Sequence, residues 1–303
     1  MRERAMYRQT ALARIAPPPT VAPVWSLEVT TELLKDESEA EVLEFLSRRP
    51  LHTVALTGAI KDNGLVSPLN RGNFYGCRNR SGELEGVALI GHATLMETRT
   101  DRALQAFAEI AQKCTTAHMI MGEQERIQEF WNYYSEDGQE MRRACREFLF
   151  ELRWPVEVHE EAAGLRLATL DDLDLILPVH AQMAFEESGV NPLDYDPEGF
   201  RKRYARRIEQ GRTWVWIEAG RLIFKCDIVS DTESVVYLEG IWTASENRGQ
   251  GYGLRCMSQL ARMLLDRTES ICILVNEQNV AAHNFYKRAG YKFRSVYDTI
   301  FLQ

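Results

Sequence analysis

The sequence predicts an α+β protein made of two similar halves. Three observations lead there. The chain has 303 residues, enough for two domains that each bury a core. Short β-branched and aromatic runs alternate with longer segments whose apolar residues recur at helical spacing. The order hairpin, helix, strand, helix, strand occurs once before the acidic, aperiodic residues 157–163 and again after them.

Residues 1–24 read as an N-terminal tail, because Pro17, Pro18, Pro19 and Pro23 favour extended structure. The first domain is expected over 25–158. Leu33, Leu34, Val42, Leu43, Phe45 and Leu46 suggest one or two helices over 32–49, and a further helix covers 52–61, ended by Asp62-Asn63-Gly64. Residues 73–78 and 86–96 read as strands joined by a turn at 79–82. A helix over 101–114 places Leu104, Phe107, Ala108 and Ala111 on one face. A strand at 117–121, a helix at 123–134 and a strand at 146–152 close this half.

The second domain is expected over 162–303. Residues 164–168 form its first strand. Thr169 and Asp172 make a helix cap, and the helix runs toward Ser188 with Pro178 kinking or breaking it. Asp196-Pro197 opens a second helix with a capping residue and a proline at the first helical position. Residues 213–218 and 222–230 pair over Ala219-Gly220. Each half is read as a mixed, mostly antiparallel sheet flanked by helices.

The chain is organised around residues 237–253. A strand carrying Tyr237, Leu238, Ile241, Trp242 and Thr243 breaks at Ser245-Glu246-Asn247. The loop Arg248-Gly249-Gln250-Gly251-Tyr252-Gly253 follows, then a helix with Leu254, Cys256, Met257, Leu260, Ala261 and Leu264 at helical spacing. The first turn of a helix has N–H groups without internal partners and carries partial positive charge. Glycines before it let the backbone approach a phosphate.

This segment resembles the Arg/Gln-x-x-Gly-x-Gly/Ala loop of the GNAT family of N-acetyltransferases, with Arg248, Gly251 and Gly253 on the fixed positions. Asn279, Ala282, Tyr286, Gly290 and Tyr291 resemble the closing signature of the same family, and they stand the right distance downstream. The resemblance covers nearly all of 162–303. It implies that acetyl-CoA is held by Arg248, Gly249, Gln250, Gly251, Tyr252, Gly253 and Leu254. It implies that the backbone of Ile241, Trp242 and Thr243 faces the acetyl and pantetheine part, and that Asn279 fixes a strand-to-helix turn or touches the cofactor. Tyr286 resembles the general acid that protonates the departing thiolate; a phenol with a pKa of about 10 is protonated at neutral pH. For the general base the chain offers Glu239, on the same face as Tyr237, Ile241 and Thr243 by strict alternation. The family often has a carboxylate two residues earlier, where this chain has Tyr237. Glu186 and Glu187 are expected in a loop bordering the acceptor, and the basic residues from Arg201 to Arg207 on a solvated helix face. The first half has Glu97-Thr98-Arg99-Thr100-Asp101 where the glycine loop would stand. It therefore resembles a degenerate GNAT-like domain preceding a working one.

The resemblance implies direct acetyl transfer from acetyl-CoA to a primary amine, on a small molecule or a peptide. Two other readings stay open: a non-catalytic acyl-CoA-binding sensor, and a two-domain aminoacyltransferase using charged tRNA. The net charge of −8 weighs against a nucleic-acid partner, which needs a basic face. The six cysteines form no CxxC pair and the six histidines are scattered, so no metal site is expected. No apolar run reaches the length of a membrane span, and the N-terminus has no secretory pattern; a cytoplasmic location is the expectation. Oligomeric state is not legible.

Overall fold

The computed structural model describes residues 29–303, so the expected tail at 1–24 lies outside the described residues. In the first half the elements are β1 (Thr30–Leu33), α1 (Glu39–Ser47), α2 (Pro50–Asn63), β2 (Gly72–Arg78), β3 (Leu84–Gly91), β4 (Ala93–Thr98), α3 (Asp101–Ala111), β5 (Met119–Glu123), α4 (Gln124–Tyr134) and β6 (Met141–Leu152). The second half has β7 (Leu165–Leu167), α5 (Leu173–Ser188), α6 (Pro192–Tyr195), α7 (Pro197–Glu209), β8 (Thr213–Glu218) and β9 (Arg221–Asp231). It continues with β10 (Val235–Thr243), α8 (Tyr252–Leu265), β11 (Ser270–Asn276), α9 (Val280–Arg288) and β12 (Lys292–Leu302).

Two readings of the first half need correcting. Residues 30–33 form a strand rather than the start of a helix, because they pair with β2 at the sheet edge. The apolar run 86–96 is two strands, not one. It folds back at His92, whose N–H donates to Arg71 O, and Gly72 and Gly91 pack with no room for a Cβ on either.

The twelve strands of the described residues form one sheet, in the order β1-β2-β3-β4-β5-β12-β6-β11-β10-β9-β8-β7. Every pairing is antiparallel except β4–β5 and β10–β11. The two halves exchange their last strands. β12, from the second half, lies between β5 and β6; β6, from the first, lies between β12 and β11. The sequence boundary between 25–158 and 162–303 therefore does not separate two self-contained sheets. β6 supplies Phe150 and Leu152 to the core that α8 and α9 bury with Leu260, Leu264, Ile271 and Ile273, while β12 supplies Ile300 and Leu302 to the core under α3 and α4.

The opposite face carries α1, α2, α5 and α7. Helix α2 belongs to the first half but crosses onto the sheet of the second. A Cβ on Gly58 would come 2.5 Å from Ser230 Cβ, so only a glycine lets α2 approach β9 this closely. Asp62 at the end of α2 is ion-paired with Arg212, and Arg206 donates to Asn63. The helix starts of the second half follow the capping rules. Thr169 and Asp172 form a capping box, and Asp196 accepts from Gly199 N with Pro197 at the first helical position. Pro178 lies inside α5 without ending it.

Candidate active site

The site is built on a kink in β10. Its pairing with β9 runs to Glu239↔Asp227 and resumes at Trp242↔Lys225, so Gly240 and Ile241 together oppose the single residue Cys226. This is a β-bulge, and Gly240 adopts φ +61° within it. The extra residue reverses the alternation beyond it. Glu239 lies among Arg207, Asp227 and Lys225 on the α5–α7 face, whereas Ile241 packs into the core under α8 and Trp242 joins the core of α5 and α7. The reading that put Glu239, Ile241 and Thr243 on one face is thus corrected. On its other edge β10 parts from β11 after Leu238↔Ile273, so residues 239–243 have no ladder partner there.

Beyond β10 the chain turns through 245–247 into the glycine loop. Arg248 Nε donates to Thr243 O at 3.0 Å and Gln250 Nε2 donates to Glu246 O at 2.7 Å, which pins the loop against the strand end. Gly249 and Gly251 have φ of +76° and +83°, and nothing lies within 4 Å of where either Cβ would be. No side chain caps the start of α8, so the N–H groups of its first turn face an open groove of about 350 Å³. His159, Glu160, Gln250, Gly251, Leu254 and Arg255 line that groove. Uncapped amides at a helix start, next to two left-handed glycines, fit a diphosphate. His159 and Glu160 come from the segment between the halves and carry no sequence signal. Gly253 is different: a Cβ there would meet Thr243 Oγ1 at 3.2 Å and the Phe285 ring at 3.4 Å, so it is the close-packing glycine between β10 and α9.

Asn279 caps α9, its side chain accepting from Ala282 N at 3.0 Å. The buried residues of α9 are His283 and Tyr286, while Ala282, Phe285 and Ala289 are half-buried. Tyr286 is only 8% exposed and lies in the core under α8, its ring edge-on to Phe285 and Tyr291. Burial pushes its phenol above the ordinary range, so it stays protonated. The Tyr291 hydroxyl nearby is buried without a partner among the described residues.

On the α5–α7 face the exchanged strand β6 completes a cluster that the sequence does not reveal. Glu147 of β6 and Glu187 in the last turn of α5 both lie near enough to Glu239 of β10 for its charge to act on them. Burial raises the Glu147 carboxyl, and Glu239 adds to the rise against a 2.8 Å hydrogen bond from Thr299. Crowding by the surrounding walls raises Glu187, followed by the charges of Glu239 and Glu147, although its side chain still reaches solvent. Glu239 is raised by burial; Arg207 and Lys225 pull it down and Asp227 pushes it up. Such groups titrate as a set. Behind them Asp227 accepts from Lys225, Tyr204 and Thr213. Burial alone would raise its carboxyl, but Lys225 and Arg207 outweigh that and hold it at about 2. His180 stacks on Phe200 and is driven to about 3, first by burial and then by Lys225, so it is neutral. The basic run of α7 is not a uniformly solvated face. Arg207 turns inward, 3.6 Å from Asp227, while Arg201 and Arg203 pair with Asp174 and Asp196.

Residues 180–291 match the model of the acetyltransferase (GNAT) family. That stretch of the second half is a GNAT domain. The kinked β10, the glycine loop and the start of α8, α9, and the residues His180, Glu187, Arg207, Asp227 and Glu239 all fall within the matched stretch. No curated protein matches the chain. Among solved structures, a GNAT-family acetyltransferase from Colwellia psychrerythraea is 12% identical; the match covers 90% of this chain and all of that one, with a TM-score of 0.53. A Drosophila protein matches with a TM-score of 0.64 at 12% identity, over 90% of this chain and 98% of its own. A tandem GNAT protein from the clavulanic acid biosynthesis pathway matches over the same shares at 12% identity and a TM-score of 0.55. At such identity these likenesses concern the fold, and they extend it over both halves.

The first half repeats the frame without the loop. β4 and β5 part after Leu95↔Met121, as β10 and β11 do after Leu238↔Ile273. At the start of α3, Thr100 accepts from Ala103 N, and Glu97 and Asp101 bind Arg49 and Arg126. A capped helix start flanked by carboxylates does not suit a diphosphate. Among the described residues no helix is long and apolar enough to cross a membrane, and no cluster of three or more His, Cys, Asp or Glu could hold a metal ion.

Proposed function

We propose that this protein is an acetyl-CoA-dependent N-acetyltransferase that moves an acetyl group directly to a primary amine. One observation carries the reading. The bulge at Gly240 divides β10: the open glycine loop and uncapped helix start follow it, and the Glu239 carboxyl just before it lies on the α5–α7 face, where Glu147 and Glu187 interact with it.

The roles follow from that geometry. Backbone N–H groups of 249–254 bind the pyrophosphate, with Arg248 and Gln250 bracing the loop. The free edge of Ile241, Trp242 and Thr243 offers main-chain N–H groups to the thioester carbonyl. Acetyl-CoA supplies an activated acyl group. Glu147, Glu187 and Glu239 draw a cationic amine to the cleft, and Glu239 takes its proton, directly or through a water. Tyr286, held protonated, gives a proton to the thiolate sulfur. Asn279 positions α9, and hence Tyr286, by capping it.

The test is a panel of primary amines assayed by thiol release from acetyl-CoA, with the Glu239→Gln variant alongside. Turnover with any amine, lowered in the variant, supports the reading. Tight acetyl-CoA binding with no turnover on any amine would favour an acyl-CoA-binding sensor. Transfer that needs charged tRNA and ignores acetyl-CoA would favour an aminoacyltransferase.

A further inference from the structure

The acids around Glu239 have a basic neighbour. His92, between β3 and β4, and His118, just before β5, stack with ring centroids 4.9 Å apart and planes within 4° of parallel. His118 also meets the Phe301 ring edge-on at 5.7 Å, and the Arg142 guanidinium lies 5.8 Å from that same ring. Ile300 and Leu302 enter the core under α3 and α4, so by alternation Thr299 and Phe301 point to the opposite face. That is the face of Glu147, whose carboxylate accepts from Thr299. Thr299 and Phe301 stand about 7 Å apart along the strand, which sets the histidines on the order of 10 Å from Glu147.

Three observations make this patch a site for an anion. The first is the sign of its charge, in a chain whose net charge is −8. Arg71 and Arg203 act on the His92 ring, and Arg142 and Arg71 on that of His118; with burial, which is the larger cause, they keep both rings neutral. The second is Arg71 itself. Among the described residues its guanidinium has no ion pair, and the acid that acts on it, Asp196, is already bound to Arg203 at 2.9 Å. Arg71 also has a left-handed backbone, φ 52°, a conformation that costs a residue with a side chain free energy. Its carbonyl is tied there by the His92 N–H at 2.8 Å, so the loop holds the arginine beside the histidine pair. The third is position. Arg142 donates to Ser188 O at 2.6 Å, the residue after Glu187, and the charge of Arg143 acts on Glu187. The basic patch and the acids therefore share the rim formed by the end of α5.

We propose that this patch binds an anionic group on the amine acceptor: the acceptor is a primary amine with a carboxylate or phosphate at its far end, held by Arg71, Arg142 and an N–H of the histidine pair. Arginine and imidazole N–H groups suit such oxygens, and each neutral imidazole keeps one N–H to donate. The assignment rests on the acyl-transfer reading for the amine end alone.

The test uses one carbon body with four end groups: hexylamine, 6-aminohexanoate, 6-aminohexyl phosphate and 1,6-diaminohexane. Each is assayed by thiol release from acetyl-CoA, and separately by calorimetric titration of the full chain without acetyl-CoA. At least one anionic amine should exceed hexylamine by about tenfold or more in kcat/KM and in affinity, the gain expected for hydrogen bonds to a charged group. The diamine should fall below hexylamine. Arg71→Asn, which suits a left-handed backbone, should bring the anionic amines down to the level of hexylamine. Arg71→Glu should lift the diamine above them; if it fails to fold, Arg71→Asn decides. Anionic amines no better than hexylamine in both assays, or an advantage that survives Arg71→Asn, would overturn the assignment. Turnover of amines without that advantage would leave the transfer reading standing and remove the anion site. An advantage in binding with no turnover would do the reverse.

Discussion

Lys225 places its ammonium 2.6 Å from the Asp227 carboxylate and 2.8 Å from the Gly240 carbonyl, with both side chains completely buried. The pair holds the bulge: a Cβ on Gly240 would strike Asp227 Oδ2 and Lys225 Nζ, at 2.6 and 2.7 Å. Lys225→Met should therefore destabilise by about 3–5 kcal/mol, because it leaves Asp227 charged and buried without its main partner. Lys225→Met combined with Asp227→Asn should lose much less. Urea denaturation of the two variants measures the difference, and equal losses would show that the pair is not the element holding the kink.

Gly251→Asp should abolish acetyl-CoA binding while leaving the fold intact. The position faces open space, and Asp tolerates a left-handed backbone better than most residues, yet its carboxylate would repel a pyrophosphate. Gly253→Asp should lose binding and also lower the melting temperature, because Thr243 and Phe285 leave it little room. Titration of the wild type should give one acetyl-CoA per chain; a stoichiometry near two would assign the first half a cofactor site of its own.

Tyr286→Phe and Glu239→Gln separate the two proton transfers. Each should lower kcat by roughly 10²–10⁴-fold with little change in acetyl-CoA affinity. A base acts only when ionised, and burial raises the Glu239 carboxyl. Activity should therefore climb with pH through a value above the ordinary carboxylate range, and Glu239→Gln should remove that limb of the profile. A Tyr286→Phe enzyme that turns over like wild type would leave Tyr286 as a core residue only.

Residues 162–303 expressed alone should fail to melt cooperatively. Without β6 they expose the edge of β11 and lose Phe150 and Leu152 from the core under α8. Extending the fragment back to 141–303 should restore part of the lost ellipticity. A cooperative transition in the short fragment would mean that the strand exchange is dispensable.

Asp172 is held at about 2, by the Arg166 hydrogen bonds first and then, against some desolvation, by the Thr169 cap. Its folded value lies below the ordinary 3.8. Its contribution, about 1–2 kcal/mol, is therefore complete above that ordinary value and lost as pH falls toward 2. Asp172→Asn should destabilise at pH 7 and converge with wild type at low pH in denaturant titrations.

The sequence by itself determined the local grammar of the site. Gly251 before Leu254 and Met257 specifies a loop feeding a helix start; Asn279 and Asp196 specify caps; Ala219-Gly220 specifies a hairpin. Each is decided by neighbouring residues, so each is visible along the chain. Tertiary structure alone decided three things. The bulge at Gly240 rests on a Lys225–Asp227 pair on the adjoining strand, so strict alternation assigned Ile241 and Thr243 to the wrong face. Glu147 reaches Glu187 and Glu239 only because β6 is donated across the halves, and strand exchange leaves no trace in local hydrophobic pattern: Phe148 and Phe150 read the same in either sheet. The narrow cavity beneath α2 joins Glu97 of the first half to Tyr237 and Tyr297 of the second, residues separated by more of the chain than any local rule spans. Propensity and periodicity act over a few residues, whereas packing joins whichever elements share a surface.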